Sequence, residues 1–280
     1  MGKRAREPSA AELPASSPAA DAPLWWHVSE DEWYQQTIDH WSQQSGLNGV
    51  LGGCSEIDSL DAEGSLAFLS ESVQQSPQQP SPQQQSPQQQ SPQQQSPQQQ
   101  LFASSHALEC GAGVGRVTSS VLLHVTQSVH LVEVSPPLIE QARSNLSLFS
   151  GRVTFECTSL QDFQPPTDGT TFTLVWLQWV LGHLTDTGVV RLLKQCKRSL
   201  RAGGSIVLKE NIASRRECKV GRGRYMLDKA NAAVIRSHEH MLTLCRLAGL
   251  AVVRSKPQKG LPKEYYAVRM YELVPDMPAC

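Results

Sequence analysis

The stretch "LECGAGVGR", residues 108–116, sets glycines at 111, 113 and 115 and an arginine directly behind them. A dinucleotide fingerprint needs G-x-G-x-x-G so that a pyrophosphate can reach a helix N-terminus, and here Arg116 stands where the third glycine would fall. The shorter spacing suits close approach of an uncharged backbone, with the guanidinium left to clamp a carboxylate. About twenty residues on, a second strand ends at Glu133, the place for an acid that accepts both hydroxyls of a ribose. Glycines so spaced also make a plain tight turn beside a surface arginine. Loop, arginine and acid in one βαβ unit together fit S-adenosylmethionine. Its carboxylate falls on Arg116, its amino-acid part over the loop from Gly111 through Gly113 to Gly115, and its ribose on Glu133 with Val134 beside it. In "SLQDF", residues 159–163, Leu160 and Gln161 would cover the adenine, with Asp162 near its amino group.

A second run, "WLQWVLGHLTD" (176–186), begins like a buried strand. It then spends Gln178, Trp179 and His183 where packing alone would choose leucine and valine. Trp176 reads as core. Gln178 and His183 are polar groups in an apolar run and need partners, which a ligand supplies.

These side chains require a frame. Short apolar runs at Ala107–Cys110, Val129–Val134, Val153–Cys157, Thr173–Gln178 and Ser205–Lys209 read as strands. Helical periodicity covers Pro137–Phe149, Thr187–Leu200 and Met226–Ala248. That rhythm predicts an α/β protein with a doubly wound, mostly parallel sheet, closed by an antiparallel pair at Ala251–Ser255 and Tyr265–Leu273. With that pair the strands number seven. Residues 1–23 are Ala, Pro, Ser and acid, predicting a disordered tail. Residues 24–73 form an aromatic and acidic segment with helical spacing, an N-terminal helical extension. Residues 74–100 hold only Gln, Ser and Pro, predicting a flexible insert, and 101–274 make the main domain.

Net charge is −1 and names no partner, but thirteen acids and no lysine or arginine lie between Glu7 and Glu109. From Arg191 to Gly260 there are seventeen basic residues against four acids, so opposed fields could orient a charged ligand. Neither a nucleic-acid partner nor a membrane is implied, since no run is long enough to span a bilayer. Seven cysteines, none at metal-clip spacing, point to reduced intracellular thiols and no metal. Lys3-Arg4-Ala5-Arg6 is a short basic run of the nuclear-address type.

The chain resembles the α-N-terminal protein methyltransferase family, which methylates the terminal amine of proteins beginning X-Pro-Lys or X-Pro-Arg. The stretches that carry the resemblance are "HWSQQSGLNGVLGGCSEIDSLD" (40–61), "ALECGAGVGR", "SLQDF", "WLQWVLGHLTD", "LKEN" (208–211), "LDKANAAVIRS" (227–237) and "LPKEYYAVRMYEL" (261–273). It implies a Rossmann-like class I fold, S-adenosylmethionine as cofactor, protein substrates, and a place in the nucleus and cytoplasm. It also implies that Gln178 holds the methionine end of the donor, that Trp179 faces the substrate channel, and that His183 takes or relays the proton of the amine. Trp41, Leu51 and Ile57 would run along the peptide groove, Asn211 would hold the terminal amine, and Tyr265 and Tyr266 would close the far side. Acids between residues 30 and 63 would then draw a basic third residue.

The family carries an Asp-x-x-Asp-Ser-Ser-Val helix for proton removal. Here Asp228 is kept, but Asn231 replaces the second acid, Ala232 and Ala233 replace the serines, and His40 replaces an aromatic. Asparagine accepts a hydrogen bond but is no base. Two expectations follow: an amine methyltransferase with His183 as principal base and Asp228 assisting, or a weakened relative that binds basic N-termini as an adaptor.

Overall fold

The computed structural model describes residues 29–75, 105–219, 224–228 and 233–276. The predicted tail, most of the glutamine-rich insert and Asn231 lie outside the described residues. Strands β1 (His106–Cys110), β2 (Ser128–Glu133), β3 (Val153–Cys157), β4 (Phe172–Gln178), β5 (Leu200–Ala213), β6 (Tyr225–Asp228), β7 (Ala233–Ser237), β8 (Leu250–Pro257) and β9 (Ala267–Pro275) build one sheet. Its path is β3-β2-β1-β4-β5-β7-β6, with β9 on the other side of β5 and β8 beyond it. The β1–β2, β1–β4, β2–β3 and β4–β5 pairs are parallel; β9 runs antiparallel to both β5 and β8. The reversal of order at β1 and β4 puts a ligand crevice beyond the carboxyl ends of those strands.

The sheet is buried on both faces, as continuous apolar strands demand. Along β4, Val175 and Leu177 enter one cluster while Leu174 and Trp176 enter the other, the period-two alternation of a strand. The first cluster is closed by α6 (Asp186–Ser199) and α7 (His238–Leu247) through Leu192, Leu193, Met241 and Leu244. On the opposite face lie α4 (116–125, with a π turn at Thr118–Leu122) and α5 (Pro136–Asn145). They are joined there by α3 (Asp58–Gln75), which brings Ala62, Phe68 and Leu69. The N-terminal segment therefore contributes a third of the helical cover on that face. It begins with α1 (Glu30–Ser42), opened by a capping box in which Ser29 and Glu32 satisfy each other's backbone N–H, and continues through α2 (Gly46–Val50).

One predicted element is wrong. Met226–Ala248 is not a single helix: it divides into β6, β7 and α7, so nine strands are present among the described residues rather than seven. Val234 and Ile235 are β-branched and buried, and adjacent apolar residues fit a buried strand as well as a helix. Ser237 then caps α7, its hydroxyl accepting from the His240 N–H at 3.2 Å. β7 pairs with β5 only at Ile212↔Arg236 and Ala213↔Ser237, just past the end of β4. The β6–β7 hairpin thus stands over the carboxyl edge of the sheet, where the crevice opens.

Candidate active site

The loop after β1 needs its glycines for shape. Gly111 has φ +72°, and a Cβ there would lie 2.6 Å from Val180. Gly113 (φ +55°) turns its N–H to Glu133 Oε2 at 2.8 Å, while Ser135 donates to Oε1 at 3.0 Å. Glu133 is thereby fixed at the tip of β2 against the loop. Burial raises its pKa and the backbone donors oppose that rise. A carboxylate has about four acceptor sites, so two hydroxyls can still be received. The loop borders a cleft of about 930 Å³, its solvent-open part included. Gly111, Gly113, Arg116, Glu133, Val134, Leu160, Gln161 and Gln178 all line it. Asp162 does not; it accepts from Ser159 Oγ at 2.6 Å. Glu109 does line it, a carboxyl whose pKa burial pushes up to about 7, and nothing in the sequence reading pointed to it.

Asp61 of α3 is the side chain that reading missed. Arg116 Nη1 donates to Asp61 Oδ2 at 2.8 Å and to Asp58 Oδ1 at 2.9 Å. Gln178 Nε2 donates to the same Asp61 Oδ2 at 2.8 Å, while Gln178 Oε1 accepts from Trp176 Nε1 at 3.1 Å. Lys209, fully buried, meets Asp61 Oδ1 at 2.6 Å and also bonds the Asp61 carbonyl and Ser65 Oγ. Arg116 and Gln178, expected to spend themselves on a donor, are thus first tied to α3. The expectation that acids of 30–63 face a basic substrate changes with it. Asp58 and Asp61 hold internal cations, Glu56 accepts from Tyr265 at 2.5 Å, and Glu30 bonds Thr185.

His183 ends a 3-10 turn (Leu181–His183) that follows β4. The turn is gripped from three sides. Glu210 Oε1 accepts from the N–H of Val180 and Leu181 at 3.0 and 2.8 Å. Arg236 of β7 donates to the carbonyls of Leu181 and Leu184, both at 2.6 Å, and to Asp186 at 2.9 Å. Trp33 Nε1 donates to the His183 carbonyl at 2.8 Å. Asp186 also receives Tyr225 and His240, and those partners hold its carboxyl far below the usual range against the cost of burial. On the His183 ring, Trp41 Nε1 donates to Nε2 at 3.2 Å. An indole N–H can only donate, so Nε2 is the unprotonated nitrogen.

Behind this turn lies a second, smaller cavity of about 400 Å³, its solvent-open part included, lined by Trp41, Trp179, His183, Glu210, Asn211 and Asp228 with part of β7. Trp41, Trp179 and His183 line both cavities and form the boundary between them. Trp179 has φ +52°, a left-handed conformation that costs a bulky residue about 1–3 kcal/mol. Its buried indole N–H and the buried Oδ1 of Asn211 have no hydrogen-bond partner among the described residues. Buried polar atoms are rarely left so, and each such case asks what completes it. Glu210, fully buried, has its pKa pushed up to about 7 by desolvation.

Not every expected residue reaches a cavity. Leu51, Ile57, Tyr265 and Tyr266 are buried and line neither. Ile57 and Tyr265 pack with Cys54 and Val268 against Trp179, and Tyr266 packs with Ile235 and Cys218. Asp228 lies in β6 rather than on a helix, and Ala233 of β7 lines the second cavity.

A protein-family pattern described as AdoMet dependent proline di-methyltransferase matches residues 29–274. The chain belongs to that family. The mouse N-terminal Xaa-Pro-Lys N-methyltransferase 1 is 32% identical over 250 residues, covering 88% of this chain and 98% of its own length. The Arabidopsis thaliana alpha N-terminal protein methyltransferase 1 is 32% identical over 258 residues, 90% of this chain and 83% of that protein. Among solved structures, a SAM-dependent methyltransferase of Leishmania major has TM-score 0.68 at 27% identity, covering 86% of this chain and 82% of that one. As an AdoMet-dependent methyltransferase, the chain has a donor cleft that fits its cofactor: a glycine cradle shaped for backbone approach, an acid at the tip of β2, and apolar cover from Leu160.

Proposed function

We propose that this methyltransferase modifies the α-amino group of proteins that begin X-Pro-Lys or X-Pro-Arg. Asn211 Oδ1 and Trp179 Nε1, buried atoms of two residues that line the second cavity and without a hydrogen-bond partner among the described residues, carry this reading. One needs a donor and the other an acceptor. A chain terminus offers both within a few atoms, an amine and the first carbonyl, and the cavity adjoins the donor cleft across Trp41, Trp179 and His183. The mouse and Arabidopsis relatives carry names that describe the same chemistry.

AdoMet supplies an electrophilic methyl group on a sulfonium. The residues of this chain do the rest. Arg116, Glu133, Gln178, Leu160 and Gln161 hold the donor, with Gly111, Gly113 and Val134 against it. A free α-amine has a pKa of about 7.7–8, so much of it is protonated near neutrality and cannot attack. His183 Nε2 offers the lone pair that removes this proton: the incoming ammonium takes the place of the Trp41 N–H on that nitrogen. Asn211 fixes the amine in line with the methyl group, and Asp228 supports the charge before the proton leaves. The weakened-binder reading draws on Ala233, which lines the cavity where the family has serine. The short run Lys3–Arg6 supports placing the enzyme in the nucleus as well as the cytoplasm.

Labelled methyl transfer to a Ser-Pro-Lys peptide tests the proposal, with an N-acetylated copy as control. Incorporation into the free peptide alone is expected; equal label in the acetylated peptide, or none in either, would overturn it.

A further inference from the structure

We infer that Asp61, on the N-terminal helix α3, is a positioning residue of the donor site: it aims Arg116 and Gln178 at the amino-acid end of the cofactor. The inference rests on the reading that Arg116 meets the donor's carboxylate. Both side chains line the donor cleft, and both hang on one atom, Asp61 Oδ2, at 2.8 Å each. Arg116 commits only Nη1 to the two aspartates. The opposite side of its fork, Nη2 and Nε, takes part in none of these bonds, and a guanidinium presents five N–H groups in a rigid plane. Holding one corner therefore fixes the direction of the rest.

The remaining oxygen of Asp61 is held in turn by Lys209 Nζ at 2.6 Å, on β5. Two cations against two aspartates leave this network neutral, so the buried charges of Arg116 and Lys209 are compensated before any donor arrives. Asp61 is 1% exposed and touches neither cavity. It acts on the donor only through Arg116 and Gln178. The acid-rich N-terminal segment is thus part of the donor site as well as of the groove beside it, and donor occupancy and docking of α3 favour each other.

Asparagine tests this because it has one acceptor oxygen where Asp61 uses two, so Lys209, Arg116 and Gln178 cannot all be served. Calorimetry on the purified full chain compares S-adenosylhomocysteine with 5′-methylthioadenosine, which keeps the adenosine and thioether but lacks the amino-acid part. Asp61→Asn should weaken S-adenosylhomocysteine about 10-fold or more and leave methylthioadenosine within about twofold. Equal weakening of both ligands would show a purely structural role and overturn the inference, as would unchanged S-adenosylhomocysteine binding. Should Asp61→Asn not fold, the double variant Asp61→Leu, Lys209→Met removes both charges of the buried pair and every side-chain acceptor at position 61, and the same split is expected. A wild-type chain that binds the two ligands equally overturns the inference together with the assignment of Arg116. Absence of peptide methylation leaves these affinities, and the inference, untouched.

Discussion

The donor cleft and the cavity beside it are built on opposite principles. Around the donor cleft, polar groups already have partners: Glu133 on two backbone N–H groups, Gln178 on Trp176 and Asp61, Arg116 on two aspartates. In the second cavity, Asn211 Oδ1 and the N–H of Trp179, on the wall shared with the cleft, have no hydrogen-bond partner among the described residues, and Trp179 has a strained backbone conformation. A site pre-organised by its own protein stays in shape between turnovers. A site with unmet polar groups gains most when a ligand of matching pattern enters, and loses when the wrong one does. Donor binding should therefore survive changes that abolish acceptor recognition.

The largest effect is expected from His183→Asn. Loss of a positioned base costs about 10²- to 10⁴-fold in kcat, while calorimetry should find S-adenosylhomocysteine affinity unchanged; a parallel loss of donor affinity would erase the distinction between the two sides. Next comes Asn211→Leu, which removes an unpaired buried polar atom. Peptide kcat/KM should fall about 10- to 100-fold, and the thermal midpoint should stay level or rise, because no internal hydrogen bond is broken at Oδ1. A drop in the midpoint would mean that Oδ1 is paired within the protein.

A smaller effect concerns pH. Each cavity is lined by a buried glutamate whose pKa is raised from 4.5 to about 7, Glu109 in the donor cleft and Glu210 in the second cavity. As pH rises through that window the unfolded chain releases these protons while the folded chain keeps them. Stability should fall by roughly 1–3 kcal/mol per group and level off above pH about 7. Glu210→Gln, followed by denaturant titration at several pH values, should remove about half of the slope; an unaltered slope would assign it to other groups. The smallest change is expected from Asn231→Asp. If His183 carries the proton, single-turnover rates should rise only about a few-fold; a gain of several orders of magnitude would favour the adaptor reading of the native chain.

The parallel core of the fold was legible because its signals are local. Each strand from β1 to β5 contains a short apolar run, and the acid at the end of β2 follows the glycine loop at a spacing that the βαβ unit imposes. The residues expected at the donor, Asp162 excepted, converge on one cleft for the same reason, since they follow consecutive strands. The β6–β7 hairpin was not legible: its apolar residues come in adjacent pairs that either period accommodates, and only Ser237 marked the true start of α7. Asp61 was invisible in another way. Its partners lie 55, 117 and 148 residues away, and nothing in "SLDAEG" distinguishes an acid that will be buried from one facing water. Leu51, Ile57, Tyr265 and Tyr266 show the converse: a motif gives membership of a region, not which side of a wall a side chain takes.

The hairpin joins the sheet through just two register pairs, yet supplies Asp228, Ala233, Val234 and Ile235 to the second cavity. A lineage can therefore rewrite that ribbon while leaving the nucleotide-handling machinery of β1 to β4 unedited. Divergence in what is modified comes cheaply in such an architecture, and a gene copy carrying an altered ribbon begins its separate history already able to seat the methyl donor.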